Sequence, residues 1–346
     1  MKLTFDKYHP HSFIKNLAKQ LGTTSRTDCL EEIIELSAPI GSGKIVGFIF
    51  SDGIGFIVFN CMINQDWVLE FSNAFPAPLQ FNFEIEGEIW HSFNNGDIRY
   101  HLNPLQGSVT ACPNQSTQKF TVPGQRKIVY ASLQIERKRY LKKIDCIVEK
   151  LPNKLQTIFA DTESEKTFFY QGNYSISAAE CINKIIKNEQ KGLIRSTYLE
   201  GKALELLSRQ IRQFTDDLLS PDKQVMLRKF DVDKIKFARD LLIKDIQNPP
   251  TIEALAKKAG INQQKLKSGF KAIFETTINK YLRNERLERA SLLLLQGTSV
   301  KAAALEIGYS NQSHFARKFK EKYGILPKEY LKSIQTKVSI NQDVKY

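Results

Sequence analysis

Apolar and polar residues alternate with a period of two along residues 81–93, FNFEIEGEIWHSF, through Phe81, Phe83, Ile85 and Ile89. That spacing puts one set of side chains on one face of a β-strand. Asn94-Asn95-Gly96 follows with residues that accept positive φ, and DIRYHL returns, so a hairpin is expected there. KIVGFIF and IGFIVFNCMI flank Ser51-Asp52-Gly53, two apolar β-branched runs around a turn signal. KIVYASLQI, from Lys127 to Ile135, reads as a further strand. Several short strands at this spacing predict a small barrel or jelly-roll-like domain over residues 1–135.

The period then changes. ERKRYLKKIDCIVEKL reads as helix, and a helical pair is expected from Ser177 to Leu219, broken near Lys191-Gly192. Its second member carries Leu199, Ala203, Leu206, Leu207 and Ile211 on one stripe at three- and four-residue steps. The stripe suits a core face or a subunit seam, so residues 136–220 form a helical extension that could hold a homodimer together. Ser220-Pro221-Asp222-Lys223 breaks the pattern and opens a linker over residues 221–231.

Residues 232–334 read as helix throughout, and within them one unit occurs twice. Asn248-Pro249-Pro250 stops a first helix, because proline lacks an amide donor and disfavours a helical predecessor. Thr251 can cap the next helix, Ile252–Ala259, which ends at Gly260 before a second helix, Gln263–Phe274. Ile252, Ala256 and Gly260 match Val300, Ala304 and Gly308. With one residue inserted in the second turn, Leu266, Phe270, Lys271 and Phe274 match Phe315, Phe319, Lys320 and Tyr323. Helix, glycine turn, polar-faced helix is a helix-turn-helix, whose second helix enters the major groove. An ordinary helical bundle can hold one such corner; two copies in one basic segment favour DNA. The outward residues are Gln263, Gln264, Lys265, Lys267, Ser268 and Lys271 in the first copy. In the second they are Asn311, Gln312, Ser313, His314, Arg317 and Lys318. Such amides can pair with adenine and such cations with guanine or phosphate. Between the copies, residues 278–297 keep no single apolar stripe. Ile278, Tyr281 and Leu282 point about 150° away from Leu287, Ala290 and Leu294. One helix is therefore expected to pack its start on the first copy and its end on the second. Arg286 sits between the two faces and is expected to pair with an acid of a neighbouring helix.

Charge follows the same division. From Asp231 onward there are 22 Lys and Arg against 12 Asp and Glu; before it, 28 against 25. A basic segment adds phosphate attraction and salt dependence. The five cysteines are scattered, with no CxxC pair, which suits a reducing compartment and gives neither a disulfide frame nor a zinc site. No run is long and apolar enough to span a membrane, and MKLTFDKYHPHSFIKN lacks a basic-then-apolar leader, so a cytoplasmic protein is expected. The histidines do not form an HxH set with a matching Glu on a strand, and there is no Ser/His/Asp pattern or phosphate loop. No metal, cofactor or enzymatic activity is expected.

With Ala304, Ile307, Gly308, Phe315, Phe319, Gly324, Pro327 and Tyr330, residues 231–334 resemble the DNA-binding domain of the AraC/XylS family of bacterial transcription regulators. Leu331 departs from the arginine that the family often has after the tyrosine. The resemblance implies promoter DNA read through two major-groove segments, contact with RNA polymerase, and activation of transcription as the expected outcome. YLEGKALELL, Tyr198 to Leu207, is similar to a segment of the pyochelin-regulator branch, whose members respond to iron-loaded siderophores. That resemblance implies a ferric siderophore as effector, with a sugar or other metabolite as the alternative; a front domain that only dimerises is the other reading. The residues themselves supply candidates: Phe81, Phe83, Trp90, His91, Arg99 and Tyr100, rings beside a cation on the expected hairpin that could hold an aromatic anion, or else form barrel core.

Overall fold

The computed structural model describes residues 1–6, 9–72, 76–94, 98–219 and 229–332, with the side chains of 145, 146, 229 and 230 left aside. The Ser220–Lys223 break, most of the expected linker, Asn95-Gly96, the Cys146 side chain and the tail 335–346 lie outside the described residues. The chain folds into two units, Met1–Gln224 and Val225–Tyr346.

The first unit runs β1 (Lys2–Phe5), α1 (Pro10–Gln20), β2 (Arg26–Asp28), β3 (Glu31–Glu35), β4 (Gly41–Ile49), β5 (Ile54–Ile63), β6 (Trp67–Ser72) and β7 (Leu79–Glu86). It continues with β8 (Ile89–Phe93), β9 (Tyr100–Leu102), β10 (Gln106–Ala111), β11 (Thr117–Val122) and β12 (Lys127–Ile135). Helices α2 (Arg137–Val148) and α3 (Asn153–Ala160), strand β13 (Phe168–Tyr174), and helices α4 (Ile176–Ile186) and α5 (Gly192–Leu219) complete it. Among the described residues the strands form a five-stranded sheet, β1-β6-β11-β8-β9, and an eight-stranded sheet, β13-β10-β7-β12-β5-β4-β3-β2. The architecture is α+β, with two jelly-roll-like sheets over one core rather than a single closed barrel. Leu3, Phe71 and Phe120 of the smaller sheet meet Ile45, Phe59 and Ile128 of the larger, and α1 adds Phe13, Ile14 and Leu17.

The hairpin at Ser51-Asp52-Gly53 forms as its residues predict. Asp52 and Gly53 take positive φ (57° and 77°), and Ile49 pairs with Gly55. The alternation over 81–93, however, is not one strand. It breaks at Gly87, whose φ is 107°, and the chain passes from one sheet to the other. A Cβ at Gly87 would lie 2.5 Å from Ile128 Cδ1, so this turn needs glycine on two counts. The helical extension also holds a strand: β13 pairs antiparallel with β10 and forms the edge of the larger sheet.

The stripe on α5 is core. Leu199, Ala203, Leu206 and Leu207 are buried within the first unit, and Ile211 is half-buried. Burial of about 25 cal/mol per Å² of apolar surface explains why these residues seek the unit's own interior. It also removes them as a free subunit seam.

The second unit is helical: α6 (Lys229–Lys244), α7 (Ile252–Ala259), α8 (Gln263–Phe274), α9 (Ile278–Leu295), α10 (Val300–Glu306) and α11 (Gln312–Tyr323). Five of the helices start on a side-chain cap. Thr251, Asn262, Thr277, Ser299 and Asn311 each accept from an amide in the first turn. Each such cap contributes roughly 1 kcal/mol. Gly260, Gly308 and Gly324 take positive φ at the helix ends.

Candidate DNA interface and sensor interior

Helix α9 joins two small cores. Its start meets the first helix-turn-helix, where Tyr281 lies 5.5 Å from the Phe270 ring and 5.2 Å from that of Phe274. Its end carries Leu287, Ala290 and Leu294, packed with Ala303, Ala304, Ile307, Phe315 and Phe319. The turning apolar face thus has a direct physical cause: a rod about 27 Å long serves a different core at each end. Burying Phe270 on α8, and Phe315 and Phe319 on α11, forces the opposite faces outward.

On α8, Gln263, Gln264, Lys267 and Lys271 are exposed. Lys265 is half-buried, with its Nζ 2.8 Å from the carboxylate of Asp231, and Ser268 donates its hydroxyl to the Gln264 carbonyl at 2.9 Å. On α11, Gln312, Ser313, His314 and Arg317 are exposed. Asn311 is also exposed, but its Oδ1 is engaged as the helix cap on the His314 amide at 2.9 Å. Lys318 is held 2.6 Å from Glu321. Four of the twelve sequence candidates, Lys265, Ser268, Asn311 and Lys318, are therefore held by close contacts within the protein, and the other eight are exposed, Arg317 with a loose 4.0 Å contact to Glu321.

Arg286 is structural, but its expected acid partner is replaced by backbone. Nε donates to the Ile246 carbonyl at 2.7 Å and Nη2 to the Gln247 carbonyl at 3.2 Å, just past the end of α6. Its guanidinium also lies 5.8 Å from the Tyr309 ring centroid. A cation suits these positions because helix C-terminal carbonyls lack amide partners.

In the first unit the six effector candidates do not converge. Phe81 and Phe83 are buried on the face of the larger sheet that turns away from the smaller one, Phe81 lying 6.2 Å from the Phe159 ring of α3. Trp90 is exposed and stacks on His101 at 4.1 Å. Arg99 is exposed. His91 is buried between the sheets, and half-buried Tyr100 stacks on Phe169 at 3.7 Å. The expected hairpin does form between β8 and β9, with Trp90 opposite His101 and His91 opposite Tyr100; Phe81 and Phe83 are parted from it because β7 belongs to the other sheet.

The alternation hides a second set. Gln80, Asn82 and Glu84 point between the sheets, where polar side chains form a chain of hydrogen bonds. Tyr130 OH donates to Asn82 Oδ1 at 2.7 Å, and Asn82 Nδ2 reaches Thr110 Oγ1 at 3.2 Å. Thr110 donates to Gln80 Oε1 at 3.1 Å, Gln118 Nε2 reaches that same oxygen at 3.3 Å, and His91 Nε2 lies 3.0 Å from Gln118 Oε1. The Gln80–Gln118 link ties the two sheets together. Beside the chain, both carboxyl oxygens of Glu84 and the His91 Nδ1 have no hydrogen-bond partner. Burial raises the Glu84 pKa well above the usual carboxylate value, and it lowers that of His91 to about 4 against the bond that His91 donates to the Gln118 amide oxygen. Burial, with the nearby Glu84 second, pushes the Cys61 thiol up to about 12. Burial thus favours the neutral form of all three groups in this interior. Period two tells which residues share a face, not which face is wet; with helices covering the other side of β7, neither face meets solvent from Leu79 to Glu84.

Among the described residues no group of three or more His, Cys, Asp or Glu side chains could hold a metal ion, and no helix is long and apolar enough to cross a membrane.

Comparison with known proteins agrees with this geometry. The sequence profile of the Regulatory protein PchR N-terminal domain matches residues 42–225, more than half of the chain. A helix-turn-helix domain profile matches residues 255–333. Regulatory protein PchR of Pseudomonas aeruginosa is 35% identical over 112 residues, 32% of this chain and 38% of that protein. The xylose operon regulatory protein of Escherichia coli is 25% identical over 154 residues, 44% of this chain and 35% of that protein. The matched stretches therefore span little more than a third of either relative. An AraC-type transcriptional regulator structure from Chromobacterium violaceum is 28% identical, covering 30% of this chain and 92% of that one at a TM-score of 0.28. With an N-terminal unit of the PchR type before a paired helix-turn-helix, the chain belongs to the AraC/XylS family of transcriptional regulators, in its pyochelin-regulator-like branch.

Proposed function

We propose that this protein binds promoter DNA through α8 and α11 and regulates transcription there, most simply as an activator, under the control of a small molecule taken up by its first unit. One observation carries the DNA reading: a single helix, α9, is shared between the two helix-turn-helix cores, while the polar faces of α8 and α11 stay exposed. Gln263, Gln264 and Lys267 on α8, and Gln312, Ser313, His314 and Arg317 on α11, are the proposed base-edge and groove contacts. Lys271 is a proposed phosphate contact. Lys318 reaches DNA by leaving the exposed carboxylate of Glu321, which costs little, whereas Lys265 would leave behind the buried carboxylate of Asp231, which costs more.

A ferric siderophore is the effector that the PchR-type first unit favours, with a sugar as the second reading because a xylose operon regulator is among the relatives. Contact with RNA polymerase, a cytoplasmic location and a homodimer belong to the same proposal; any homodimer must use a surface other than the buried α5 stripe. The experiment is selection of bound sequences from a random DNA pool, then fluorescence anisotropy on the selected site with and without ferric siderophores and sugars. Two recognition segments one helical turn apart, and a steep fall of affinity with salt, are expected. A single short protected segment would rule out the two-helix reading. Operator affinity unmoved by every compound would leave a constitutive DNA-binding protein.

A further inference from the structure

Helices α4 and α5 cover the outer face of the larger sheet unevenly. Toward the far end of α5, contact is close. Gln210 Nε2 donates to the Asn82 carbonyl at 2.8 Å, and the buried Phe214 ring stands edge-on to Tyr170 at 4.6 Å. Nearby, Asn173 Nδ2 donates to Asp217 at 3.1 Å. Toward the near end the α4–α5 turn stands off β2 to β5 and leaves a cleft of about 690 Å³. That is the size of a site for a drug-sized molecule. Its floor is apolar, from Val46, Phe48 and Val58, and Ile185 and Leu199 face it from the helices. Arg26, Lys44 and Lys191 also line it.

Among the described residues, two side-chain links join the near half of α5 to the sheet: Ser51 of the β4–β5 turn donates its hydroxyl to Glu200, and a clasp closes on β3. Arg195, in the first turn of α5, holds Glu31 of β3 through two contacts, Nη2 to Oε2 at 3.0 Å and Nε to Oε1, and also reaches Asn188 Oδ1 at 3.1 Å. Of the remaining cations, Arg26 and Lys44 are engaged only in exposed pairs, with Asp28 at 3.4 Å and Glu35 at 3.0 Å. Such pairs contribute little and exchange partners readily. Asp28 and Glu189 also line the cleft, so it is not a simple cationic basin; it is an apolar slot with cations available to one acid group.

We propose that this cleft is the effector site of the first unit, and that it takes a small molecule with an apolar, ring-bearing body and an acidic group. The proposal rests on the reading that this unit senses a small molecule. A ligand here lies between the sheet and the start of α5, while Gln210 pins the helix further along. Gln213, Phe214 and Asp217 hold the helix beyond that point against β13, so a ligand that lifts the start of α5 strains the helix against these far-end contacts. The end of α5 is where the sensor hands over to the rest of the chain. Ligand control needs different affinity for two positions of the start of α5, and a cleft lined by Arg195, Ser196 and Leu199 of that start supplies it.

The test uses the full-length protein with 1-anilinonaphthalene-8-sulfonate, an aromatic acid, as fluorescent probe. The wild type is expected to bind one equivalent saturably. Val46→Trp fills the cleft from the floor and Ser196→Trp from the helix side; each is expected to weaken the probe at least tenfold, with thermal stability and DNA affinity retained. Trp90→Ala, far from the cleft in the smaller sheet, is expected to leave probe binding unchanged. Absence of saturable binding in the wild type, or wild-type affinity in both filled variants, overturns the site. If a metabolite changes operator binding equally in the wild type and both filled variants, the cleft is excluded while effector control stands. If the probe binds but Arg195→Gln leaves the effector response of operator binding unaltered, the clasp is not the coupling element.

Discussion

The two helix-turn-helix copies share a plan and differ in how their turns are held. In the first, Gly260 takes a left-handed φ of 64° and its carbonyl accepts from Lys234 Nζ of α6 at 2.6 Å, but an added Cβ would meet only that side chain's tip, at 3.3 Å. In the second, Gly308 has a φ of 80° and is clamped. An added Cβ would lie 2.4 Å from the Gln247 carbonyl oxygen and 2.7 Å from Arg286 Nη2. Arg286, at the middle of α9, holds that carbonyl and the one before it, so the second turn is tied to the end of α6 as well as to its own core. A repeated sequence unit therefore does not mean a repeated mechanical role. The first glycine serves backbone conformation, and the second serves conformation and close packing together.

The strongest way to break this comparison is to cut into the two cores. Phe319→Ala and Phe270→Ala should each cost about 3–5 kcal/mol. Because α9 belongs to both cores, calorimetry should show the second unit melting in one transition in either variant. Two separate transitions would show the copies to be independent. Next come the glycines. Gly308→Ala should cost about 3 kcal/mol or more, since a backbone oxygen must move as well as a left-handed residue be strained, while Gly260→Ala should cost only the ~1 kcal/mol of a left-handed alanine. Equal losses in denaturant titrations would remove the distinction. Arg286→Ala should cost about 2 kcal/mol through its two charge-assisted bonds to carbonyls. Arg286→Lys should restore little of it, because one ammonium cannot copy a forked donor set. The smallest effects concern DNA. Arg317→Ala should weaken the selected site by about 1–2 kcal/mol more than random DNA, whereas Lys271→Ala should weaken both alike and reduce the salt slope by about one. Equal losses on both DNAs for Arg317 would reassign it to the phosphate backbone.

The second unit was far more legible than the first. Thr251, Gly260 and Gly308 mark helix ends by local chemistry, and Phe270 and Phe319 mark faces by spacing, so the bounds of α7 and α8 could be read directly. The acid partner expected for Arg286 was wrong because a backbone carbonyl leaves no trace in a side-chain sequence. In the first unit the pairing is non-local: Lys2 of β1 pairs with Val68 of β6, and Val109 of β10 with both Phe81 and Tyr170. No short window holds that information. Asn82 and Glu84 were missed as interior residues for a related reason: alternation assigns a side, and only the tertiary arrangement says what covers it. The cleft beneath α4 and α5 is less legible still, because its floor and roof come from segments over a hundred residues apart.

The placement of β13 has a practical consequence for work on the sensor. Although it follows two helices in the chain, its amides and carbonyls complete the rim of the larger sheet along β10. A fragment cut after Ile135, where the continuous run of strands stops, would leave that rim bare, and an unpaired strand of this kind recruits other chains. Expression boundaries meant to isolate the sensor should therefore extend beyond Tyr174 and through the end of α5; shorter ones should yield insoluble protein, whatever the quality of the remaining core.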